Sequence, residues 1–183
     1  MSEQPGRYQR SPNAMIGALL VLLVVIAAFV GLRAISRDNE ATPVATVDYV
    51  PVLKQARADR RLLAPAPDPM PKGWRATSVR FVPGPDSSWH LGILTDKGKY
   101  VGIEESGSTV GDKVGQFLGS DATKGASVPI GKRRWQAWSL PDGNYALTSR
   151  TGTGSIWVGG SAGERLVREL TGELSFAMFR ASG

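Results

Sequence analysis

Gly159-Gly160-Ser161-Ala162-Gly163 has the G-x-S-x-G spacing of a nucleophile elbow, in which a strand-to-helix turn presents a serine to a later acid and histidine. The rest of that chemistry is missing: the single histidine, His90, precedes the serine, and no aspartate follows Ser161. The same residues read as helix-start chemistry, because Ser161 and Glu164 have the S-x-x-E spacing of a capping box. Gly125 to Arg133 imitates a phosphate-binding loop, but it has five residues between its glycines, a proline among them, and Arg133 where a magnesium-binding hydroxyl belongs. With no cysteine there is no zinc finger, redox pair or thiol nucleophile. One histidine and scattered carboxylates provide neither an i, i+4 metal pair nor a calcium loop, so no metal or cofactor is expected.

The more informative residues alternate. In Trp89 to Thr95 one face carries Trp89, Leu91 and Ile93, and the other His90, Gly92 and Leu94. In the following segment Val101 and Ile103 lie opposite Tyr100, Gly102 and Glu104, so a hairpin of suitable register puts His90, Tyr100 and Glu104 on one outer face. Trp138 and Trp157 are candidates to join them. Such a face suits a peptide, glycan or lipid ligand; the competing reading covers it with the upstream helix expected at Val52 to Leu63 and leaves His90 hydrogen-bonded at the rim. Glu104 and Glu105 point to opposite faces, so they are not an acid/base pair, and an enzyme would have to use His90 with Glu104 within about 6 Å of each other. Lys132-Arg133-Arg134 is the one basic cluster of the C-terminal region, a candidate contact for anionic polymers or lipids.

The elements that position these residues are short strands separated by turn signals. Arg75 to Val82 ends at Pro83-Gly84-Pro85, and Trp89 to Thr95 and Tyr100 to Glu104 flank Asp96-Lys97-Gly98. Trp135 to Leu140 and Tyr145 to Arg150 flank Pro141-Asp142-Gly143-Asn144, and Gly152-Thr153-Gly154 turns into Ile156 to Val158. Two helices interrupt them. Val110, Val114, Phe117 and Leu118 follow a Ser108/Thr109 cap and stop at Gly119, and Leu166, Val167, Leu170 and Leu174 form the second apolar stripe. The fold class is α+β, a mostly antiparallel sheet backed by helices on one side.

Upstream, Ala14 to Leu32 is 19 residues without a charge or proline, flanked by Arg7, Arg10, Arg33 and Arg37. As a helix it rises roughly 28 Å, the hydrocarbon thickness, and it is longer than the apolar core of a signal peptide. It is read as an uncleaved single-pass transmembrane helix, residues 14–32, behind a cytoplasmic tail, residues 1–13. Residues 33–71 hold six of the twelve prolines and are read as a Pro-rich tether. Within it Val44 to Val50 is a short strand, Val52 to Leu63 a basic helix with Lys54, Arg57, Arg60 and Arg61 solvated, and Pro65 to Pro71 a polyproline II spacer. Residues 72–183 then form the domain, placed outside the cell.

The net charge of +6 resolves into +1 from the tail, +1 from the tether and +4 from the domain, with 14 basic and 10 acidic residues beyond Pro71. That charge is spread, and no RNA-binding aromatic motif accompanies it, so nucleic acid is not an expected partner.

Lys72-Gly73-Trp74-Arg75-Ala76-Thr77-Ser78-Val79-Arg80, Trp89 to Thr95 and Tyr100-Val101 resemble the actinobacterial membrane proteins grouped as domain of unknown function 4245. Val47-Asp48-Tyr49 and the segment from Gly159 to Leu174 fit the same family. The resemblance implies a short cytoplasmic tail, one membrane helix and an exported α+β domain, and it supplies no activity and no catalytic residue. The expectation is therefore an outward-facing, non-enzymatic binding or interaction module of the cell envelope, in the lipid bilayer, with an envelope protein, lipid or glycan as partner. The alternatives are a carrier or sensor for an apolar or glycan ligand, which needs a cavity of at least roughly 300 Å³, and a small hydrolase-type enzyme using His90 and Glu104.

Overall fold

Alternating apolar residues bounded by glycine and proline turns produce strands, and three short amphipathic stretches produce helices. The computed structural model describes residues 44–176 together with Leu22 and Ile26. In chain order the elements are α1 (Val50–Ala58), β1 (Ala66–Pro67), β2 (Arg75–Val82), β3 (Ser88–Leu94), β4 (Tyr100–Ser106), α2 (Val110–Phe117), β5 (Thr123–Ile130), β6 (Arg133–Ser139), β7 (Tyr145–Arg150), β8 (Ser155–Gly160), α3 (Gly163–Gly172) and β9 (Leu174–Ser175). The chain divides between Val44 and Ala45 into two units, and these elements belong to the second. Of the expected membrane segment, Leu22 and Ile26 are described, both helical and exposed; its other residues and the 1–13 tail lie outside the described residues. Among the described residues no helix is long and apolar enough to cross a membrane.

Seven strands form one antiparallel sheet in the order β2-β3-β4-β8-β7-β6-β5. Gly98 and Gly143 take positive φ angles of 69° and 85° in the two hairpin turns, a backbone state that glycine enters without a Cβ penalty. β5 breaks register between Lys124 and Ser127 and carries Pro129, and it forms one edge of the sheet. One sheet face buries Trp89, Leu91, Ile93, Val101, Ile103, Leu147, Ile156 and Val158 against Leu53 and Ala56 of α1 and Val167 and Leu170 of α3.

The helices do not all lie on that side. Val114 of α2 and Leu118 just beyond it pack with Ala146 and Trp157, which point to the opposite face, so α2 covers the centre of the second face over β8 and β7. Its start is as expected: the Thr109 side chain accepts from the Asp112 amide, Asp112 accepts from the Thr109 amide, and Gly119 ends the helix with φ of 73°. The start of α3 is different. Ala162 is its N-cap, without a side-chain cap bond, and the Ser161 hydroxyl oxygen instead accepts the Tyr100 amide at 3.1 Å, tying the β8–α3 turn to β4.

Residues 45–71, expected to be a spacer ahead of a domain that begins at residue 72, are part of the compact unit. Leu53, Ala56, Leu62, Ala64 and Ala66 are buried in the main core, and β1 pairs with β9 where a polyproline II rod was expected. The physical reason is that prolines lack an N–H but keep a carbonyl acceptor, and the small alanines let that backbone approach the sheet. The Trp89 indole donates to the Pro65 carbonyl at 3.0 Å, and the Tyr49 hydroxyl donates to the Pro67 carbonyl at 3.0 Å. Glu105, buried on the helix-covered face, accepts the Leu63 amide at 3.1 Å and the Ala64 amide at 2.8 Å. Arg57 is not a solvated residue of a basic face. It is buried and donates to the carbonyls of Ala64 and Ser175, at 3.2 and 2.7 Å. The expected strand at 44–50 is reduced to one bond, from the Val47 amide to the Ala76 carbonyl on the outer edge of β2.

Candidate functional site

The second sheet face carries polar chemistry on either side of α2. Strand register sets Arg80, His90, Glu104, Trp157, Thr148, Gln136 and Ser127 in one row across all seven strands. The next row contains Ser78, Gly92, Gly102, Gly159, Ala146, Trp138 and Lys124.

On the β2–β4 side, His90 Nδ1 hydrogen-bonds Glu104 Oε1, and His90 Nε2 is 2.8 Å from Ser78 Oγ. An ionised carboxylate only accepts, so beside ionised Glu104 Nδ1 is the donor, and in that tautomer of a neutral ring Nε2 accepts from the Ser78 hydroxyl. His90 and Glu104 retain 20% and 16% side-chain exposure, so the pair is open to solvent at its edge. Ser78 reaches this face because the register shifts between Ala76 and Ser78. In a regular strand Ser78 would share the core-facing side of Ala76; the bulge turns it over.

Tyr100 lies over two glycines in register, Gly92 and Gly102. A Cβ on Gly92 would stand 3.0 Å from the Tyr100 hydroxyl and 2.3 Å from Ser78 Oγ, and one on Gly102 would stand 3.0 Å from the same hydroxyl. Burial, with a smaller contribution from the Glu104 charge, pushes the Tyr100 phenol up, so it remains a proton donor. From α2, buried Lys113 donates Nζ to Ser106 Oγ at 2.9 Å. Desolvation pushes its ammonium down, and the neighbouring charges of Glu104 and Glu105 oppose that.

On the β5–β7 side a groove of about 620 Å³ opens between the start of α2 and the strands. Lys124, Arg133, Arg134 and Arg150 line it, and no acidic residue does. Trp138 forms part of its floor, fixed by an indole bond to Thr148 Oγ1 at 2.9 Å. The Arg133 guanidinium is held at the rim by a bond to the Arg150 carbonyl at 3.3 Å and by the Phe176 ring 4.8 Å away.

The expected residues thus separate. His90, Tyr100 and Glu104 share a face as their alternation indicated, and α2, not the upstream helix, covers part of that face. Trp157 lies beside Glu104 in register, but it is buried beneath α2 and stacked on Phe117, with ring centroids 4.8 Å apart, so it is core and not a ligand platform. Trp138 and Arg134 belong to the basic groove, Arg133 lies between it and a second groove beside Trp135 and Phe176, and Lys132 lines the second. Ser78, Lys124 and Arg150 are additions. The glycines at 92, 102 and 159, each interior to a strand, signalled a close approach on this face.

Residues 7–174 match the model of the family described as protein of unknown function (DUF4245). The chain belongs to the DUF4245 family. No curated protein and no solved structure matches significantly. The DUF4245 match spans both halves of the polar face, from Ser78 to Arg150, and the apolar run from Ala14 to Leu32.

Proposed function

We propose that this DUF4245 protein is a single-pass membrane protein whose exported α+β domain binds an anionic ligand in the basic groove, as a binding module of the cell envelope. One observation carries the reading: Lys124, Arg134 and Arg150, with Arg133 at the rim, line a groove of about 620 Å³ that has no acidic residue in its lining. Placing them together raises the free energy of the empty site, and an anion relieves it. Trp138 adds a flat apolar surface, so the favoured ligand combines several phosphate or carboxylate groups with a ring or acyl face. The anchor rests on the uncharged run from Ala14 to Leu32 with arginines on both sides.

The test uses the full chain in nanodiscs of zwitterionic lipid, titrated calorimetrically with short polyphosphate and, in a second arm, incubated with vesicles containing phosphatidylglycerol. Polyphosphate binding alone identifies a soluble or polymeric phosphate; binding of the anionic vesicles identifies a lipid head group. In either case R134E/R150E weakens binding by about tenfold or more, and raised salt weakens the wild type. Unchanged binding by that variant overturns the groove as the site. For orientation, Lys97→Cys in the exposed hairpin turn reacts with an impermeant maleimide in intact cells. Reaction only after lysis removes the outward placement.

A further inference from the structure

We propose that Ser78, His90 and Glu104 form a nucleophile, base and orienting acid for acyl transfer from carboxylic esters, with the Tyr100 hydroxyl as donor to the developing oxyanion. This site is separate from the basic groove, on the other side of α2.

Three adjacent strands each supply one member. Ser78 Oγ is 2.8 Å from His90 Nε2, and His90 Nδ1 bonds the Glu104 carboxylate, so the serine proton has an acceptor whose other nitrogen is already held. That is the order of contacts by which a serine is activated on unrelated folds. The placement is built, because the shift between Ala76 and Ser78 is what moves the serine from the core side to the histidine side. Gly92 makes the space, since any Cβ there would overlap Ser78 Oγ at 2.3 Å. Solvent reaches His90 and Glu104, at 20% and 16% exposure. Water would therefore satisfy these groups singly, and core packing does not require them to be ordered on one another.

Tyr100 completes the geometry. Its hydroxyl lies 3.0 Å and Ser78 Oγ 2.3 Å from the same point over Gly92, so the two oxygens are no more than about 5.3 Å apart, the sum of those distances. That bound keeps the Tyr100 hydroxyl within reach of the oxygen of a carbonyl carbon bonded to Ser78 Oγ. In the reaction Ser78 Oγ bonds the ester carbon and its proton passes to His90 Nε2; the carbonyl oxygen gains the negative charge and accepts from Tyr100. The carbon–alkoxy bond then breaks, and the leaving oxygen takes the proton from Nε2 as an alcohol. Water, losing a proton to Nε2, attacks the acyl-serine; Ser78 recovers that proton and a carboxylic acid leaves. Ser78, His90 and Tyr100 are the catalytic residues, and Glu104 is a positioning residue.

The full chain in detergent micelles is treated with a fluorophosphonate probe, whose phosphorus bonds Ser78 Oγ as fluoride departs, and the tryptic peptide Ala76–Arg80 is read by fragmentation. The expected result is an adduct on Ser78 and not on Thr77, absent in S78A. H90Q slows labelling by about 100-fold. E104Q slows it by about tenfold while the protein remains folded by far-UV circular dichroism, and E104D recovers part of the rate, which a merely structural role would not produce. Wild-type labelling with hydrolysis of p-nitrophenyl acetate supports turnover. An unlabelled wild type, labelling at another serine, or an H90Q rate equal to wild type overturns the proposal, and the first of these requires no variant to fold.

Discussion

Replacing Glu105 tests how much its buried carboxylate contributes to holding residues 63–64 to the sheet. Glu105 is 1% exposed and accepts the Leu63 and Ala64 amides, at 3.1 and 2.8 Å. In Glu105→Ala both amides lose their acceptor where the Ala64 donor is buried, at about 1–3 kcal/mol for each unpaired donor. Removing a desolvated carboxylate returns part of that sum, so the expected net loss is about 2–4 kcal/mol. Glu105→Gln keeps the size and one acceptor oxygen, and about half the loss is expected. Urea unfolding of the full chain in micelles measures both as a lower midpoint at unchanged m-value, and hydrogen exchange reports faster opening at amides 63 and 64. The pH dependence gives an independent sign. Burial pushes the Glu105 carboxyl up against the opposing pull of the Leu63 and Ala64 amides and the Arg133 and Lys113 charges. A raised folded-state pKa contributes stability that is fully present below the unfolded value near 4.3 and is lost as pH rises through the folded value. The deficit of Glu105→Gln relative to wild type is therefore largest near pH 4 and shrinks as pH rises. A deficit below about 0.5 kcal/mol, or one that grows with pH, refutes the reasoning.

Two further outcomes follow from local geometry. Gly159→Ala places a Cβ 2.5 Å from Ala146 Cβ and 2.7 Å from the Tyr145 carbonyl oxygen in the middle of the sheet, and about 1–3 kcal/mol of destabilisation is expected in thermal melts; an unchanged or raised midpoint refutes the close approach. Thr109→Ala removes the α2 cap at about 1 kcal/mol. The Thr109 hydroxyl, then the Thr109 amide, hold the Asp112 carboxyl below its ordinary value, a contribution present above the unfolded pKa and lost as pH falls through the folded one. Carbon-detected titration of Asp112 in Thr109→Ala therefore moves upward.

What the sequence conveyed depended on whether burial left a periodic trace. The hairpin of β3 and β4 was legible because both strands bury one face completely, which also placed His90, Tyr100 and Glu104 together. The α2 cap was legible because Ser108 and Thr109 precede the apolar stripe; the structure makes Thr109 the cap and adds Asp112 as its partner. β5 was not, since an edge strand exposed along most of its length has no apolar alternation to read. Ser78 escaped for a different reason: alternation counted from Ala76 assigns it to the core, and only the shifted register reverses that. The segment at 62–67 was misread because composition cannot distinguish prolines in water from prolines whose carbonyls meet Trp89 and Tyr49. Ser161 belonged to neither the nucleophile motif nor the cap; its partner, the Tyr100 amide, is 61 positions away.

The irregular outer strand β5 has a bearing on self-association. An unpaired strand margin is a template on which a second copy can extend the sheet, and a row of free amides in register is what makes it one. Here the row is interrupted twice, by the shift between Lys124 and Ser127 and by Pro129, which has no amide hydrogen to offer. At the other margin the Val47 amide already occupies the Ala76 carbonyl. Both interruptions make the β5 margin a poor template for a second copy, so pairing through that edge is disfavoured.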